Sequence, residues 1–352
     1  MPKIIEAIEL YMGPQELNGP DNLLKAVVDF IDGAQSSLLI AVQELDSTPI
    51  AEAIIRARQR KVLVKLVLEA DYLYEKDAIP NPFLAEGEHE INRQLHDAVL
   101  RANINVRSDY NPHIFHQKFI IRDNKSILTG SANFTDTDTA ANLNHIVIVH
   151  DGTVARIFGR EYAEIQQGHF GKLSEGTDPR PPEVMVSNVR IKTLFAPDHS
   201  PEMEIMKQIA KARQGIEFAI FTFANSSGID DQLVLARQAG IPIRGALFSS
   251  QANQDWSANK TLQDAGLSLF LVPRPGLPEP KPRKLHHKLM VIDGQLIIAG
   301  SFNYTGPANQ LNDENIIIIG DLDTTDPDSI QKQKELGAYA VAEVNRIIAD
   351  FG

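Results

Sequence analysis

Histidine, lysine and asparagine recur in this chain in one fixed pattern. His116, Lys118, Asp123, Gly130, Ser131 and Asn133 reappear as His286, Lys288, Asp293, Gly300, Ser301 and Asn303, each 170 positions on (286 − 116). Thr135 and Asn142 keep that offset to Thr305 and Asn312. Constant register over so many positions marks a duplicated structural unit. On a β-strand, residues two apart face the same side, so each His–Lys pair presents an imidazole beside an ammonium. A Gly-Ser step lets the backbone turn closely about a ligand. Imidazole, ammonium, hydroxyl and amide converging on one spot suit an oxyanion.

The elements that must hold these groups are short. Phe119-Ile120-Ile121 and Leu289-Met290-Val291-Ile292 are apolar runs, each followed by a turn (Asp123-Asn124, Asp293-Gly294) and a second run, Ser126 to Leu128 or Leu296 to Ala299. That pattern predicts a buried β-hairpin in each copy. Asp123 and Asp293 fall at the turns, where they are expected to stabilise the turn and its packing rather than take part in chemistry. Around the first hairpin, strands are predicted at Ile8 to Tyr11, Ser37 to Leu45, Val62 to Glu69, Ile104 to Arg107 and Ile146 to Val149. Helices are predicted from an N-cap at Asp21 to Ile31, over Pro49 to Arg60, over Glu90 to Ala102 and over Val154 to Gln167. Strands alternating with helices imply an α/β fold with mainly parallel sheets covered by helices. Ala70 to Glu88 interrupts the alternation and reads equally as an ordinary surface loop or as a rim or lid of the site.

After a linker-like stretch the chain replays this order, with a helix over Met203 to Arg213, a strand over Ile216 to Phe223 and a helix over Ile229 to Ala239. Ala236-Arg237-Gln238 echoes Ala57-Arg58-Gln59 at an offset of 179 (236 − 57), so the first half carries about nine extra residues, placed at 70–90. The expected organisation is a first half over 1–172, a linker over 173–188 and a second half over 189–352.

The doubled pattern His-x-Lys-x4-Asp-x6-Gly-Ser-x-Asn resembles that of the phospholipase D superfamily. The resemblance implies two similar α/β/α sandwich halves with mainly parallel mixed sheets, whose motifs meet across a pseudo-twofold axis in a single site. A chain with both motifs completes that site as a monomer. It also implies phosphodiester chemistry, which needs a nucleophile, neutralisation of the nonbridging oxygens and a proton for the leaving oxygen. Two histidines can divide the first and last tasks through a phosphohistidine. Lys118 and Lys288 supply positive charge, and Asn133, Asn303, Ser131 and Ser301 donate hydrogen bonds. No metal and no cofactor are expected, because an ammonium beside each imidazole repels a divalent cation and His286 and His287, as strand neighbours, point to opposite faces.

The two copies differ at one telling place. Asn312-Asp313-Glu314 follows the second motif as the family pattern expects, whereas the first has Asn142-Leu143-Asn144. Glu314 is expected to orient one imidazole, and Asn144 replaces its counterpart. Chain order in the family makes His116 the nucleophile; a carboxylate supporting the second-half ring would favour His286.

Substrate class is read from composition. The chain has 352 residues, 43% hydrophobic and 23% charged, no cysteine and a net charge of −12. That excludes a disulfide scaffold and a thiolate metal site, and argues against docking on an anionic membrane. Met1 to Glu9 is not a signal peptide, and no apolar run approaches the ~20 residues needed to cross a bilayer, so a soluble, cytoplasmic protein is expected. The Pro-rich run from Pro273 to Lys284 brings Arg274, Lys281, Arg283 and Lys284 toward His286 against one acid, Glu279. These four are expected to form a groove wall for flanking phosphates. The expectation is a nuclease, with DNA before RNA as substrate. The alternatives are a phospholipase or phosphatidyltransferase acting on phospholipid, and a nucleic-acid-binding module without turnover.

Overall fold

The computed structural model describes residues 1–75, 81, 83–174, 176 and 179–352. The first half supplies strands β1 (Lys3–Ile5), β2 (Ile8–Gly13), β3 (Ser37–Val42), β4 (Leu63–Glu69), β5 (Asn105–Asp109), β6 (Lys118–Arg122), β7 (Ser126–Gly130) and β8 (Asn142–Val149). Its helices are α1 (Leu23–Asp32), α2 (Thr48–Gln59), α3 (Glu90–Arg101), α4 (Asp136–Ala140) and α5 (Gly152–Gln167). The second half supplies β9 (Val184–Val186), β10 (Val189–Ala196), β11 (Ile216–Ile220), β12 (Ile243–Phe248), β13 (Ser268–Val272), β14 (Lys284–Leu285), β15 (Lys288–Ile292), β16 (Leu296–Gly300) and β17 (Glu314–Ile319). Its helices are α6 (Pro201–Ile209), α7 (Gly228–Gln238), α8 (Ser249–Ala252), α9 (Asn259–Asp264), α10 (Gly306–Gln310) and α11 (Pro327–Phe351).

Each half builds one sheet, in the orders β1-β2-β8-β7-β6-β3-β4-β5 and β13-β12-β11-β15-β16-β17-β10-β9. The α/β class, the mixed sheets and the two similar halves match expectation; the parallel majority does not. Among the described residues, β3–β4, β4–β5, β11–β12, β12–β13 and the two-residue β14 against β8 are the parallel pairs, and the motif strands pair antiparallel on both sides. A hairpin placed at the sheet centre can run only antiparallel to itself, and β2 and β10 then return antiparallel along β8 and β17.

The continuous apolar runs of the motif strands are explained by burial on both faces. Phe119, Ile121, Leu289 and Val291 enter a central core shared by the two halves, together with Phe158 of α5 and Val344 and Ile347 of α11. Ile120 turns outward under α1, α2 and α3, and Met290 and Ile292 under α6, α7 and α9. Each sheet therefore has helices on both sides. The long helix α11 extends the pattern beyond the segments predicted, burying Leu336, Ala340, Val344, Ile347 and Phe351 at helical spacing. Helix α1 is capped by Asn22, whose side chain accepts from the Lys25 N–H. Asp21, the predicted cap, instead accepts from the Met12 N–H at 2.7 Å and from the Tyr339 hydroxyl, tying β2 to α11.

Both hairpin turns place two residues at positive φ (Asp123 56°, Asn124 53°; Asp293 56°, Gly294 62°), the geometry whose twist suits a two-residue hairpin. The Asp123 carboxylate accepts the N–H groups of Gln35, Ser36 and Ser37 ahead of β3, and Asp293 accepts those of Arg213, Gln214 and Gly215 ahead of β11. Each aspartate thus pins its hairpin to the neighbouring strand. The glycines that end the second hairpin strands lie where any Cβ would come within 2.3 Å (Gly130) or 2.4 Å (Gly300) of a backbone carbonyl oxygen.

Candidate active site

His116 and His286 line one cleft of about 620 Å3 between the halves, with Asn133 and Asn303. Strand pairing across the halves brings them there. The His116 N–H donates to the Asp313 carbonyl at 2.9 Å, in a parallel bridge between Phe115 and Asp313. The His286 N–H donates to the Leu143 carbonyl at 2.9 Å, just beyond the pairing of β14 with β8. Each histidine is therefore delivered against the strand that follows the other motif.

The crossing decides which ring is supported by what. His116 Nδ1 lies 2.7 Å from Glu314 Oε2, and the Ser301 hydroxyl donates to the same oxygen at 2.6 Å. His286 Nδ1 lies 3.0 Å from Asn144 Oδ1, which the Ser131 hydroxyl reaches at 2.7 Å. The assumption that Glu314 serves the ring of its own half is overturned, because β17 runs beside the approach to His116 and not beside His286.

The ammoniums are fully buried. Lys118 Nζ donates to Gln43 Oε1 at 3.1 Å and to the His116 carbonyl at 2.9 Å. Lys288 Nζ donates to the His286 carbonyl at 2.8 Å and stands 4.9 Å from the Phe221 ring centre. Burial pushes Lys118 down to about 8, and it also lowers Lys288 well below the ordinary lysine value, with Lys118 adding to the effect. Burial, then the two ammoniums, holds His116 and His286 well below the ordinary histidine range. Burial drives Glu314 up to about 8 against the pull of Lys118. Burial thus pushes both partners of the His116–Glu314 contact toward their neutral forms.

Of the four expected basic residues, two reach the cleft, Arg283 and Lys284. Arg274 instead holds the C-terminus, its N–H on the Phe351 carbonyl at 2.8 Å and its guanidinium on the Gly352 carbonyl at 3.0 Å. Lys281 pairs with Glu279 at 3.3 Å. The basic wall is thus half as charged as the sequence suggested, since the C-terminus and Glu279 hold the other two cations. The same cleft is also lined by the acids Glu44, Asp46, Glu88 and Asp138, beside Gln43 and Tyr72. Burial pushes Glu44 up to about 7, with Asp46 and Asp138 adding to it. Tyr72 and Glu88 belong to the segment read as a surface loop or rim, of which 76–80 and 82 lie outside the described residues.

Sequence reasoning missed Asp138, whose Oδ2 lies 3.5 Å from His286 Nδ1. The available signal was its 170-offset counterpart, Ala308. It also missed a second layer behind the site. Asn315 Nδ2 donates to Gln117 Oε1 at 2.7 Å, while at the equivalent place His145 Nδ1 meets His287 Nδ1 at 3.1 Å. His287 faces away from the cleft, as strand alternation requires, toward Glu343. Among the described residues, the acids grouped closely enough for a cation are Glu161, Glu164 and Asp198, a set that includes neither cleft histidine.

Residues 27–165 and 205–332 match the family model described as cardiolipin synthase, PLD-like domain. The phospholipase D of Rickettsia prowazekii (strain Madrid E) is 31% identical over 136 residues, 39% of this chain and 62% of that protein. The mitochondrial cardiolipin hydrolase of Homo sapiens is 27% identical over 161 residues, 46% of this chain and 58% of that protein. The chain thus spans about three-fifths of the length of these relatives. The phosphatidylserine synthase of Haemophilus influenzae Rd KW20 superposes with a TM-score of 0.65 at 13% identity, covering 100% of this chain and 89% of that one. The polyphosphate kinase of Porphyromonas gingivalis gives 0.57 at 13% identity, covering 91% and 45%. These two likenesses speak for the fold alone. Among the described residues, no helix is long and apolar enough to cross a membrane.

Proposed function

The chain belongs to the phospholipase D superfamily of phosphodiesterases, and from that premise we propose that it breaks phosphodiesters by two displacements at phosphorus, without a metal ion. Nε2 of His116 attacks phosphorus, and the ester oxygen leaves with the Nε2 proton of His286. Water then gives a proton back to His286 as its oxygen attacks the phosphohistidine, freeing His116. Lys118, Lys288, Asn133 and Asn303 neutralise and bind the nonbridging oxygens. The observation that carries this division of labour is Glu314 at 2.7 Å from Nδ1 of His116. Once phosphorylated, that ring is a cation, and an adjacent carboxylate stabilises it. The criterion that favoured His286 when Glu314 was assigned to its own half now selects His116, in agreement with the family's chain order.

For the substrate we favour a nucleic acid, DNA before RNA, with a flanking phosphate against Arg283 and Lys284. A second reading, a phospholipid, is favoured by the acids Glu44, Asp46 and Glu88 in the cleft lining, which repel a second flanking phosphate and accept a hydroxylated or cationic head group. The names of the Rickettsia and human relatives support the same reading. The test is turnover of labelled DNA, RNA and phosphatidylcholine vesicles in excess EDTA, by the native protein and by His116→Ala and His286→Ala. Cleavage of DNA that persists in EDTA and is lost in both variants is the expected result. Head-group release with DNA intact replaces the first substrate by the second. DNA binding with no turnover of any substrate, or cleavage that EDTA stops, overturns the proposal.

A further inference from the structure

The duplicated halves give their two catalytic rings unequal support. His116 has a carboxylate, Glu314; His286 has Asn144, whose amide oxygen can accept the Nδ1 proton but brings no charge. Both rings stand beside Lys118 and Lys288, and His286 also faces Lys284. Lys288 at the start of β15, Lys118 and His116 from the other motif and Lys284 on β14 all oppose its protonation, and the Phe221 ring meets it edge-on at 4.9 Å. A group assigned to hand a proton to the leaving oxygen needs a negative neighbour to hold that proton first.

Such a neighbour stands on α4. Helices α4 and α10 start alike: the Thr135 hydroxyl accepts the Asp138 N–H at 3.0 Å, and the Thr305 hydroxyl accepts the Ala308 N–H at 3.2 Å. The backbones are equivalent, and only the first copy carries an acid there. Asp138 is 4% exposed, with Oδ2 at 3.5 Å from His286 Nδ1. Its oxygens are fixed by the Asn133 N–H at 2.7 Å and by the Asn142 amide. Asn144 also donates its Nδ2 to the Asp138 carbonyl at 2.9 Å, so the amide that replaced the family's carboxylate is tied to the residue bearing the new one. We propose that Asp138 is the positioning residue of His286. It stands in for the carboxylate missing at 144 and keeps the ring's protonated form available to the leaving group. The proposal rests on the assignment of His286 as the acid, and deepens it.

The test compares leaving groups. Asp138→Asn and Asp138→Ala are made alone and with Asn144→Glu, which restores a carboxylate where Glu314 has one in the other half. Asp138→Ala copies the residue that α10 already tolerates, so at least one variant is expected to fold with an unchanged circular dichroism spectrum. Bis(p-nitrophenyl) phosphate expels a stable phenolate and needs little proton transfer; the natural-type ester that the native protein cleaves, DNA or phosphatidylcholine, expels an alkoxide. Loss of Asp138 is expected to slow the alkoxide ester about 10- to 100-fold. The p-nitrophenolate burst should stay within about twofold, and Asn144→Glu should recover most of the loss. Equal loss on both esters, or no loss on either, overturns the proposal. Titration of the His286 ring by NMR reads the contact without turnover: its midpoint should fall in both Asp138 variants and return with Asn144→Glu. An unchanged midpoint refutes the role of Asp138. If the native protein cleaves neither ester, the functional reading fails, and this titration alone decides whether Asp138 supports the ring.

Discussion

Replacing Glu314 by Gln removes the group that can become a carboxylate when the His116 ring becomes cationic, and leaves the rest of the contact in place. The amide can still accept from the Ser301 hydroxyl and from His116 Nδ1, now at 2.6 Å and 2.7 Å from the carboxylate. What is lost is the difference between a charged and a neutral acceptor facing a ring that becomes cationic on phosphorylation, about 2–3 kcal/mol for a buried contact of this kind. That corresponds to about 30- to 160-fold in the first displacement. Rapid-quench measurement of phosphohistidine on His116 reads that step directly. Stability should move the other way. Burial raises Glu314 to about 8 in the folded protein, above its unfolded value of about 4.3, so the folded state binds the extra proton and the native protein loses stability as pH rises through that window. Glu314→Gln lacks this loss, and its melting temperature relative to the native protein should climb between about pH 5 and pH 8. Slower phosphohistidine formation together with undiminished stability at alkaline pH is the expected pair of results. Formation within about threefold of native would refute the pairing of Glu314 with the nucleophile.

Lys118, pushed down to about 8 by burial, carries its charge only below that value, so kcat/KM should decline as pH rises through about 8; a profile flat to about pH 10, the ordinary lysine range, would disprove a need for the ammonium. Asp293→Ala strips the acceptor from three backbone N–H groups ahead of β11 and should cost about 1–3 kcal/mol of stability, seen by urea denaturation, while activity of the folded fraction persists. If DNA is the substrate, Arg283→Ala and Lys284→Ala should each weaken binding and lower the salt dependence of log K by about one unit. Arg274→Ala, whose guanidinium holds the C-terminus, should leave that slope unchanged.

What the sequence made legible follows from the kind of signal involved. The motif hairpins were readable because burial on both faces forces continuous apolar runs, and because two copies at one offset cannot arise by accident. Asp123 and Asp293 were readable as turn residues because they sit where two positive φ values are needed. Strand direction was not: alternation of helix and strand says nothing about where a hairpin enters a sheet, and here it enters at the centre. The partner of Glu314 was hidden for a related reason. Its position in the chain shows which strand bears it, whereas its contact depends on the other half's approach lying alongside β17. Arg274 and Lys281 looked like substrate contacts because charge can be counted from sequence and direction cannot. Asp138 went unnoticed because it falls between recognisable motif positions, although its counterpart Ala308 marks it as a departure from symmetry.

A duplicated site that divides nucleophile from acid cannot stay symmetrical, and the asymmetry extends below the reacting groups. Behind one ring, Gln117 and Asn315 exchange an amide hydrogen bond at 2.7 Å, with Thr129 donating to Asn315 at 2.8 Å; these groups do not titrate. Behind the other, the Gly300 N–H donates to His145 Nε2 at 3.1 Å, leaving the His145 Nδ1 proton for His287 Nδ1 and the His287 Nε2 proton for Glu343. Every ring nitrogen of that chain is committed in the neutral form, and burial holds both histidines below their ordinary range. An added proton on His145 would face the Gly300 N–H, at the glycine whose close approach to the Asn315 carbonyl shapes the second motif. Each layer ends on a buried carboxylate, Glu161 for Gln117 at 3.2 Å and Glu343 for His287 at 3.3 Å, but only the layer behind His286 contains titratable rings. That is the arrangement to expect if one ring must simply bear a phosphoryl group while the other must be set for proton transfer by everything packed against it.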